Sequence, residues 1–205
     1  MRRCVLALII VSSGFAGRLH AQQQPESNAG IFMKELREIA GEILRSAPLH
    51  AGDTVSLRIE RDEAAPIAEQ AFAETLLSNR ITVFRDTMAA SKYEFTVASK
   101  ELNVRYEKSF KDGVFGASRC GRTISASCSA IIVHRSSREV LYSGTVSRTC
   151  SDTVDVGMIG SLEDEAMKFT HGDVPSETFL DRFVEPFVIV GATGIAIYLL
   201  FHIRS

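Results

Sequence analysis

The sequence of 205 residues has no tryptophan, only 5 prolines and 4 cysteines, and no strong excess of charge of either sign. With 14 glycines and few prolines, the composition excludes collagen-like and low-complexity chains. The net charge of −2 gives no general electrostatic attraction to nucleic acid. We therefore expect an ordinary globular domain that has no nucleic acid among its partners.

The chain also lacks the local motifs of common catalytic sites. It has no Gly-x-Ser-x-Gly elbow, no glycine-rich phosphate loop, and no spacing of cysteines and histidines typical of a zinc site. The histidines beyond the first 21 residues are scattered at His50, His134, His171 and His202. Glu60, Asp62 and Glu63 could perform acid–base chemistry, but we interpret them as the cap of a helix that begins near Ala64. We expect no enzyme activity, no cofactor and no metal.

The N-terminal segment has the pattern of a secretory signal peptide. Two arginines follow Met1, an apolar run extends from Cys4 to Ala16, and small Ala21 precedes a polar stretch. We expect cleavage after Ala21, so that residues 1–21 are the signal peptide; the alternative is a permanent N-terminal anchor. No Leu-x-x-Cys box follows the apolar run, so a lipoprotein is not predicted. Removal of the segment leaves 20 basic and 25 acidic residues, a net charge of −5.

The C-terminal segment predicts a membrane anchor at 186–205. From Phe187 to Ile203 there is no residue with a formal charge, which is close to the minimum of about 17 residues for a spanning helix. Pro186 suits a first helical turn. With the N-terminus exported, a single-pass helix would place the domain in the periplasm and Arg204 in the cytoplasm, with membrane lipid as a partner. The alternative is a buried core helix.

The middle of the chain alternates between helical and strand patterns. We expect a flexible leader at 22–30, a periplasmic domain at 31–154 and an acidic connecting segment at 155–185, with short helices around 162–169 and 176–185 that lead into the anchor. Apolar periodicity predicts helices over 31–46 and 64–79 and strands over 55–59 and 81–84. Several antiparallel strands follow. This order predicts an α+β fold, a two-layer sandwich of an antiparallel or mixed sheet with two helices.

Period-two alternation predicts a β-hairpin around a turn at Arg135–Arg138. One face carries Ile124, Cys128, Ile132, Tyr142 and Val146. The other face carries hydroxyls, among them Ser125, Ser127, Thr145 and Ser147. The hydroxyl face is either a solvated surface or a docking face for a partner. On the preceding strand the apolar parity changes, which predicts a bulge or a tight turn near Ser99 to Glu101.

The predicted export makes disulfides possible. Cys4 would leave with the signal peptide, so Cys120, Cys128 and Cys150 remain. We expect a disulfide between Cys120 and Cys150, near the open end of the hairpin. Cys128 shares a face with Cys150 and is the alternative partner.

Two stretches resemble known groups of bacterial proteins. The run Glu139-Val-Leu-Tyr-Ser-Gly-Thr145 resembles a hairpin of the curli-secretion lipoprotein family and related envelope assembly lipoproteins. The resemblance implies a small α/β domain that assembles in the envelope, although this chain lacks their lipobox cysteine. The tail from Phe183 to Ser205 is similar to that of uncharacterised exported proteins of Bacteroidota and Chlorobi-type bacteria, which implies export only.

These observations together predict a non-enzymatic, membrane-anchored periplasmic module for interaction or assembly in the bacterial cell envelope, with an envelope protein as partner. A ligand or peptidoglycan sensor is one alternative, and it would need a deep apolar cleft. A membrane-tethered hydrolase is the other, and it would need titratable groups that converge in a pocket.

Overall fold

The computed structural model describes residues 25–85, 91–111, 116–174 and 179–202, with backbone alone at 179–188. The predicted signal peptide lies outside these residues. The helices are α1 Asn28–Ser46, α2 Ala65–Ser78, α3 Ile159–Leu162 and α4 Phe179–His202. The strands are β1 Thr54–Ile59, β2 Thr82–Phe84, β3 Tyr93–Tyr106, β4 Phe110–Lys111, β5 Ser118–His134, β6 Val140–Asp155 and β7 Gly172–Asp173.

The strands form one mixed sheet of seven strands in the described part of the chain. Its main order is β2-β1-β3-β5-β6, and β4 and β7 are short additions to β5 and β3. Strand β1 is parallel to β2 and β3, whereas β3, β5 and β6 are antiparallel to one another. The prediction of an α+β fold with a mixed sheet is therefore confirmed.

Helices α1 and α2 cover one face of the sheet and build the core with it. The stripe of α1 that contains Phe32, Leu36, Ile39 and Ile43 is fully buried, because these residues recur at helical spacing. Phe72 of α2 meets Phe95 of β3 edge to face, with ring centroids 5.8 Å apart. The opposite face of the sheet carries no helix among the described residues.

Helix α1 begins three residues earlier than predicted, inside the expected leader. Ser27 caps it, since its Oγ accepts a hydrogen bond from the backbone N–H of Gly30 at 3.2 Å. Asn28, the first helical residue, has no exposed surface. The chain therefore becomes part of the folded domain by residue 28.

The β-bulge predicted on β3 is present. The register against β5 shifts between Ser99 and Glu101. Before the shift, odd-numbered Phe95 and Val97 face the helices; after it, even-numbered Val104 and Tyr106 do so, and all four are buried. One extra residue in the strand thus keeps apolar side chains on the core side along its whole length.

The segment after β6 folds back onto the domain over residues 156–173, where the sequence indicated an acidic connection. Two 3₁₀ turns, Val156–Met158 and Lys168–Thr170, enclose α3, and β7 then pairs in parallel with β3 at Val104 and Arg105. The helix predicted around 162–169 is wrong, because only Ile159–Leu162 is α-helical there. Phe169 explains the docking, since its ring packs edge to face on Phe32 at 5.3 Å.

Helix α4 replaces the predicted pair of helices at the C-terminal end. It runs unbroken from Phe179 to His202, so the expected break before the apolar run at 186 is absent. Its large apolar side chains from residue 189 onward are exposed, from Leu199 at 47% to Phe201 at 72%. None of the helices in the described residues combines the length and the apolarity that crossing a membrane requires.

Candidate functional site

The uncovered face of β5 and β6 carries a regular array of ten hydroxyl side chains. We call this array the hydroxyl face. Its members alternate along both strands with core residues: Thr123, Ser125, Ser127 and Ser129 on β5, and Ser143, Thr145, Ser147, Thr149, Ser151 and Thr153 on β6. The hairpin predicted from the alternation is confirmed, since β5 and β6 pair antiparallel around a turn at 135–139.

Cross-strand hydrogen bonds connect the hydroxyls in rows. Ser147 Oγ donates to Ser127 Oγ at 2.8 Å. One row away, the hydroxyl oxygens of Ser125 and Thr149 are 3.4 Å apart, and those of Thr123 and Ser151 are 3.2 Å apart in the next row. Each hydroxyl can both donate and accept, so the pairs still offer hydrogen-bonding groups to the outside.

The four hydroxyls singled out from the sequence all belong to this face. Ser127 and Ser147 are direct partners, whereas Ser125 pairs with Thr149 and Thr145 lies opposite Ser129. Thr145 and Ser147 on β6 are exposed, while Ser125 and Ser127 are half-buried because they lie between two neighbouring strands. The structure therefore places the predicted residues together on one surface.

Charged side chains border the hydroxyl face on β3. The register sets Glu101 opposite Ser127, and it sets Arg105 opposite Thr123. Both charged residues are exposed. The sequence pattern did not reveal this border, because it depends on how β3 pairs with β5 beyond the bulge. Along this border, the surface therefore has charged groups beside the neutral donors and acceptors of the hydroxyl face.

A buried polar cluster lies under one end of the sheet and was not found from the sequence. We call it the Arg122 network. The Arg122 side chain has no exposed surface; it donates from Nε to Asp152 Oδ1 at 2.8 Å and from one terminal nitrogen to Asn28 Oδ1 at 2.7 Å. Asn28 Nδ2 donates in turn to the Tyr106 hydroxyl at 2.9 Å and to the carbonyl of Thr170 at 2.7 Å. Burial raises the pKa of Tyr106.

The Arg122 network joins α1, β3, β5, β6 and the returning segment at 156–173. Each side-chain nitrogen of Asn28 and of Arg122 donates to a protein oxygen atom, so the network has a structural explanation. One signal in the sequence pointed to it: Arg122 has the even parity of core-facing Cys120 and Ile124 on β5. A charged residue on that parity predicts a buried ion pair.

The expected disulfide between Cys120 and Cys150 is not formed. All three described cysteines are free thiols. The register sets Cys120 opposite Val154 and Cys150 opposite Ile124, so the two thiols lie four positions apart along the hairpin. That is about 13 Å at 3.3 Å per residue, well beyond the roughly 4–7 Å between Cα atoms that a disulfide allows.

The alternative disulfide, between Cys128 and Cys150, is also not formed. Cys128 lies opposite Val146, so the two thiols are again four positions apart along the hairpin, here on the side toward the turn. Cys128 is fully buried, and this burial raises the pKa of its thiol to about 12. Burial also raises the pKa of Cys120. Neither buried thiol has the properties of a reactive nucleophile.

The other residues considered for chemistry are dispersed. Glu63 accepts a hydrogen bond from the backbone N–H of Lys168, so it fixes the returning segment, and α2 has no side-chain cap. His134 Nδ1 lies 3.1 Å from the hydroxyls of Ser136 and Ser137 in the exposed hairpin turn. Within the described residues, no group of three or more His, Cys, Asp and Glu is arranged to hold a metal ion.

A shallow depression of about 700 Å³ lies at the end of β1. Its lining is largely polar and charged, including Arg58, Glu60, Arg61, Glu69 and Arg85. Arg85 and Glu69 form an ion pair across it at 2.7 Å. A depression with this lining differs from the deep apolar cleft that a lipid-like or aromatic ligand would need.

Comparisons with known proteins give only distant structural likenesses. No family model matches the chain, and no curated protein is significantly similar to it. Similar solved structures include the LpoB C-terminal domain from Salmonella enterica, with 10% identity over 55% of this chain and 94% of that chain and a TM-score of 0.33. Lipoprotein GNA1162 from Neisseria meningitidis has 10% identity over 54% and 92%, with a TM-score of 0.35.

A third similar structure is the PelC dodecamer from Paraburkholderia phytofirmans, with 24% identity over 51% of this chain and 78% of that chain and a TM-score of 0.32. TM-scores this low do not establish a common fold. The resemblance of the hairpin to the curli-secretion lipoproteins therefore stays a prediction.

Proposed function

We propose that this protein is a non-enzymatic module of the bacterial cell envelope and that its C-terminal helix holds it in the membrane. The module docks an envelope protein on its hydroxyl face. The observation that carries the proposal is the hydroxyl face itself. It extends over two long neighbouring strands, no helix of the described part of the chain covers it, and it presents paired donors and acceptors next to Glu101 and Arg105. Such a surface suits a protein partner that supplies complementary polar groups.

Helix α4 supports the anchoring part of the proposal. Its described apolar side chains, such as Val190, Ile195 and Leu200, are exposed at 69%, 63% and 67%. Exposed apolar surface on this scale needs a covering, and lipid provides one for a run without formal charges from Phe187 to Ile203. In this topology the domain is periplasmic and Arg204 is cytoplasmic.

A photo-crosslinking experiment tests the docking face. A benzophenone amino acid is placed at Thr145, which is exposed on the hydroxyl face, and as a matched control at Glu38, which is exposed on α1. In cells, we expect a defined crosslinked protein from position 145 and none from position 38. Replacing Ser125, Ser127 and Ser147 together by alanine should reduce the yield from position 145.

The same triple variant separates docking from folding. Because these hydroxyls are surface groups, their removal should change the free energy of unfolding by no more than about 0.5 kcal/mol each. Equal crosslinking from both positions, or a yield that the triple variant leaves unchanged, would show that the face is only a solvated surface.

A further inference from the structure

Strand β6 presents a long open edge. It is 16 residues long, and among the described residues it pairs with β5 alone. An open strand edge offers unpaired N–H and C=O groups to another strand, and proteins commonly protect such edges with proline, lysine or bulges. Residues 140–155 contain no proline and no lysine, and the single irregularity against β5 lies at the turn end, between Ile132 and Val133.

The charged groups of β6 do not protect this edge either. Asp155 pairs with Arg119 of β5 at 3.1 Å, and Asp152 pairs with Arg122. Arg148 Nε binds Glu35 of α1 at 2.9 Å. Each charge is thus held on its own molecule, toward the neighbouring strand or the helix, and the backbone edge stays accessible to a further strand.

We propose that β6 pairs antiparallel with β6 of a second copy of this chain, about a two-fold axis at Cys150. This proposal rests on the edge of the sheet and is independent of docking on the hydroxyl face. Its basis is the order of the side chains on the face of β6 that is turned toward helices α1 and α2, which we call the helix side. A two-fold axis at Cys150 sets Arg148 opposite Asp152 of the second copy, and it does so twice.

The same register is favourable on the rest of the helix side, since it sets Val146 opposite Val154 of the second copy. Other registers that keep side chains on the same face are worse. An axis at Arg148 would place two arginines directly opposite each other, and like charges in this position are destabilising. The charges therefore favour the register in which the two-fold axis lies at Cys150.

Arg148 and Asp152, which form the new ion pair, can each make a further hydrogen bond. The side chains of Arg148 and Asp152 are each 38% exposed. The guanidinium has five N–H donors in a planar fork, and Glu35 takes the one on Nε. Pairing with a second copy can therefore add contacts to Arg148 without breaking its bond to α1.

The dimer would also extend the hydroxyl face. With the axis at Cys150, Thr149 lies opposite Ser151 of the second copy and Ser147 lies opposite Thr153. Rows that now span β5 and β6 would then continue over four strands. A two-fold axis perpendicular to the sheet keeps both hydroxyl faces on the same side, so the array doubles in width.

Cys150 provides a direct test of this geometry. It is the partly exposed one of the three described thiols, whereas Cys120 and Cys128 are fully buried. Directly opposite residues in an antiparallel pair have Cβ atoms about 4.5–5.5 Å apart, close to disulfide range. Two Cys150 thiols would reduce one molecule of oxidised glutathione, forming one Cys150–Cys150 disulfide and releasing two molecules of glutathione.

The first test treats membranes containing the full chain with oxidised glutathione and follows the product by non-reducing electrophoresis. We expect a disulfide-linked dimer as the main product, lost in Cys150→Ser and retained in Cys128→Ser and Cys120→Ser. Glutathione bound to Cys150 in a chain that stays monomeric would overturn the proposal.

The second test measures the register in a Cys150→Ser background. Ser147→Cys and Thr153→Cys together should restore the dimer, because each new thiol lies opposite the other residue of the second copy. The two exposed positions are six residues apart, about 20 Å, so they cannot bridge within one chain. Each single substitution should give no dimer. A dimer from Ser147→Cys alone, or none from the pair, would contradict the proposed register.

Discussion

At the scale of single residues, Arg122 shows most clearly what sequence reasoning can reach. Alternation on β5 assigned the buried parity correctly to Ile124 and Cys128, both at 1% exposure or less. The same parity contains Arg122, although the burial of this charged residue was not predicted. Its partners were not predicted either, because Asn28 and Asp152 lie 94 and 30 residues away in the chain. Long-range polar contacts of this kind depend on the packing of whole elements.

We expect Arg122→Met to lower the free energy of unfolding by about 3 kcal/mol or more, because it leaves Asp152 and buried Asn28 without their partner. Arg119→Met is the matched control on the same strand. Its ion pair with Asp155 is partly exposed, so the loss should be about 1 kcal/mol or less. Urea unfolding of both variants measures the difference. Equal losses would contradict the structural role of the Arg122 network.

At the scale of elements, local patterns predicted the hairpin, the bulge and both helices of the core. The disulfide between Cys120 and Cys150 was wrong for a reason already present in the turn. The turn at 135–138, together with the register shift between Ile132 and Val133, fixes which residues of β5 and β6 meet and brings Cys120 opposite Val154. The fold-back of residues 156–173 could not be predicted, since β7 pairs over two residues only and Phe169 acts through a contact with distant Phe32.

The bulge on β3 gives a test at this scale. Deletion of Lys100 removes only the extra residue, so Val104 and Tyr106 keep their partners on β5 and stay on the core side. Deletion of exposed Asn103, a paired residue beyond the bulge, instead moves Val104 and Tyr106 to the opposite face. Each buried apolar side chain contributes about 1.5–3 kcal/mol, so we expect the Asn103 deletion to lower the free energy of unfolding by at least about 3 kcal/mol and the Lys100 deletion to lower it much less. Equal losses from the two deletions in urea unfolding would show that the bulge does not set the faces.

At the scale of the whole molecule, the chain combines a closed domain with an exposed apolar helix. The domain forms its apolar core from its own residues, and the Arg122 network provides the hydrogen-bond partners of its buried charge. Helix α4 leaves apolar side chains such as Tyr198 and Leu200 uncovered, at 63% and 67% exposure. The sequence predicted an apolar helix at the C-terminal end, because a run without formal charges is visible without any knowledge of the fold; its place in a membrane stays a prediction. The use of the hydroxyl face depends on a partner, which no pattern within one chain identifies.

Anchoring by α4 is the central claim of the proposed function, and membrane fractionation tests it most directly. Cells that express the full chain, or a chain ending at Pro186, are fractionated and their membranes are washed with alkaline carbonate. N-terminal sequencing identifies the product cleaved after Ala21. The account predicts that the cleaved full chain stays in the pellet and that the cleaved chain ending at Pro186 is recovered in the soluble periplasmic fraction. A cleaved, truncated chain that stays in the pellet would contradict it.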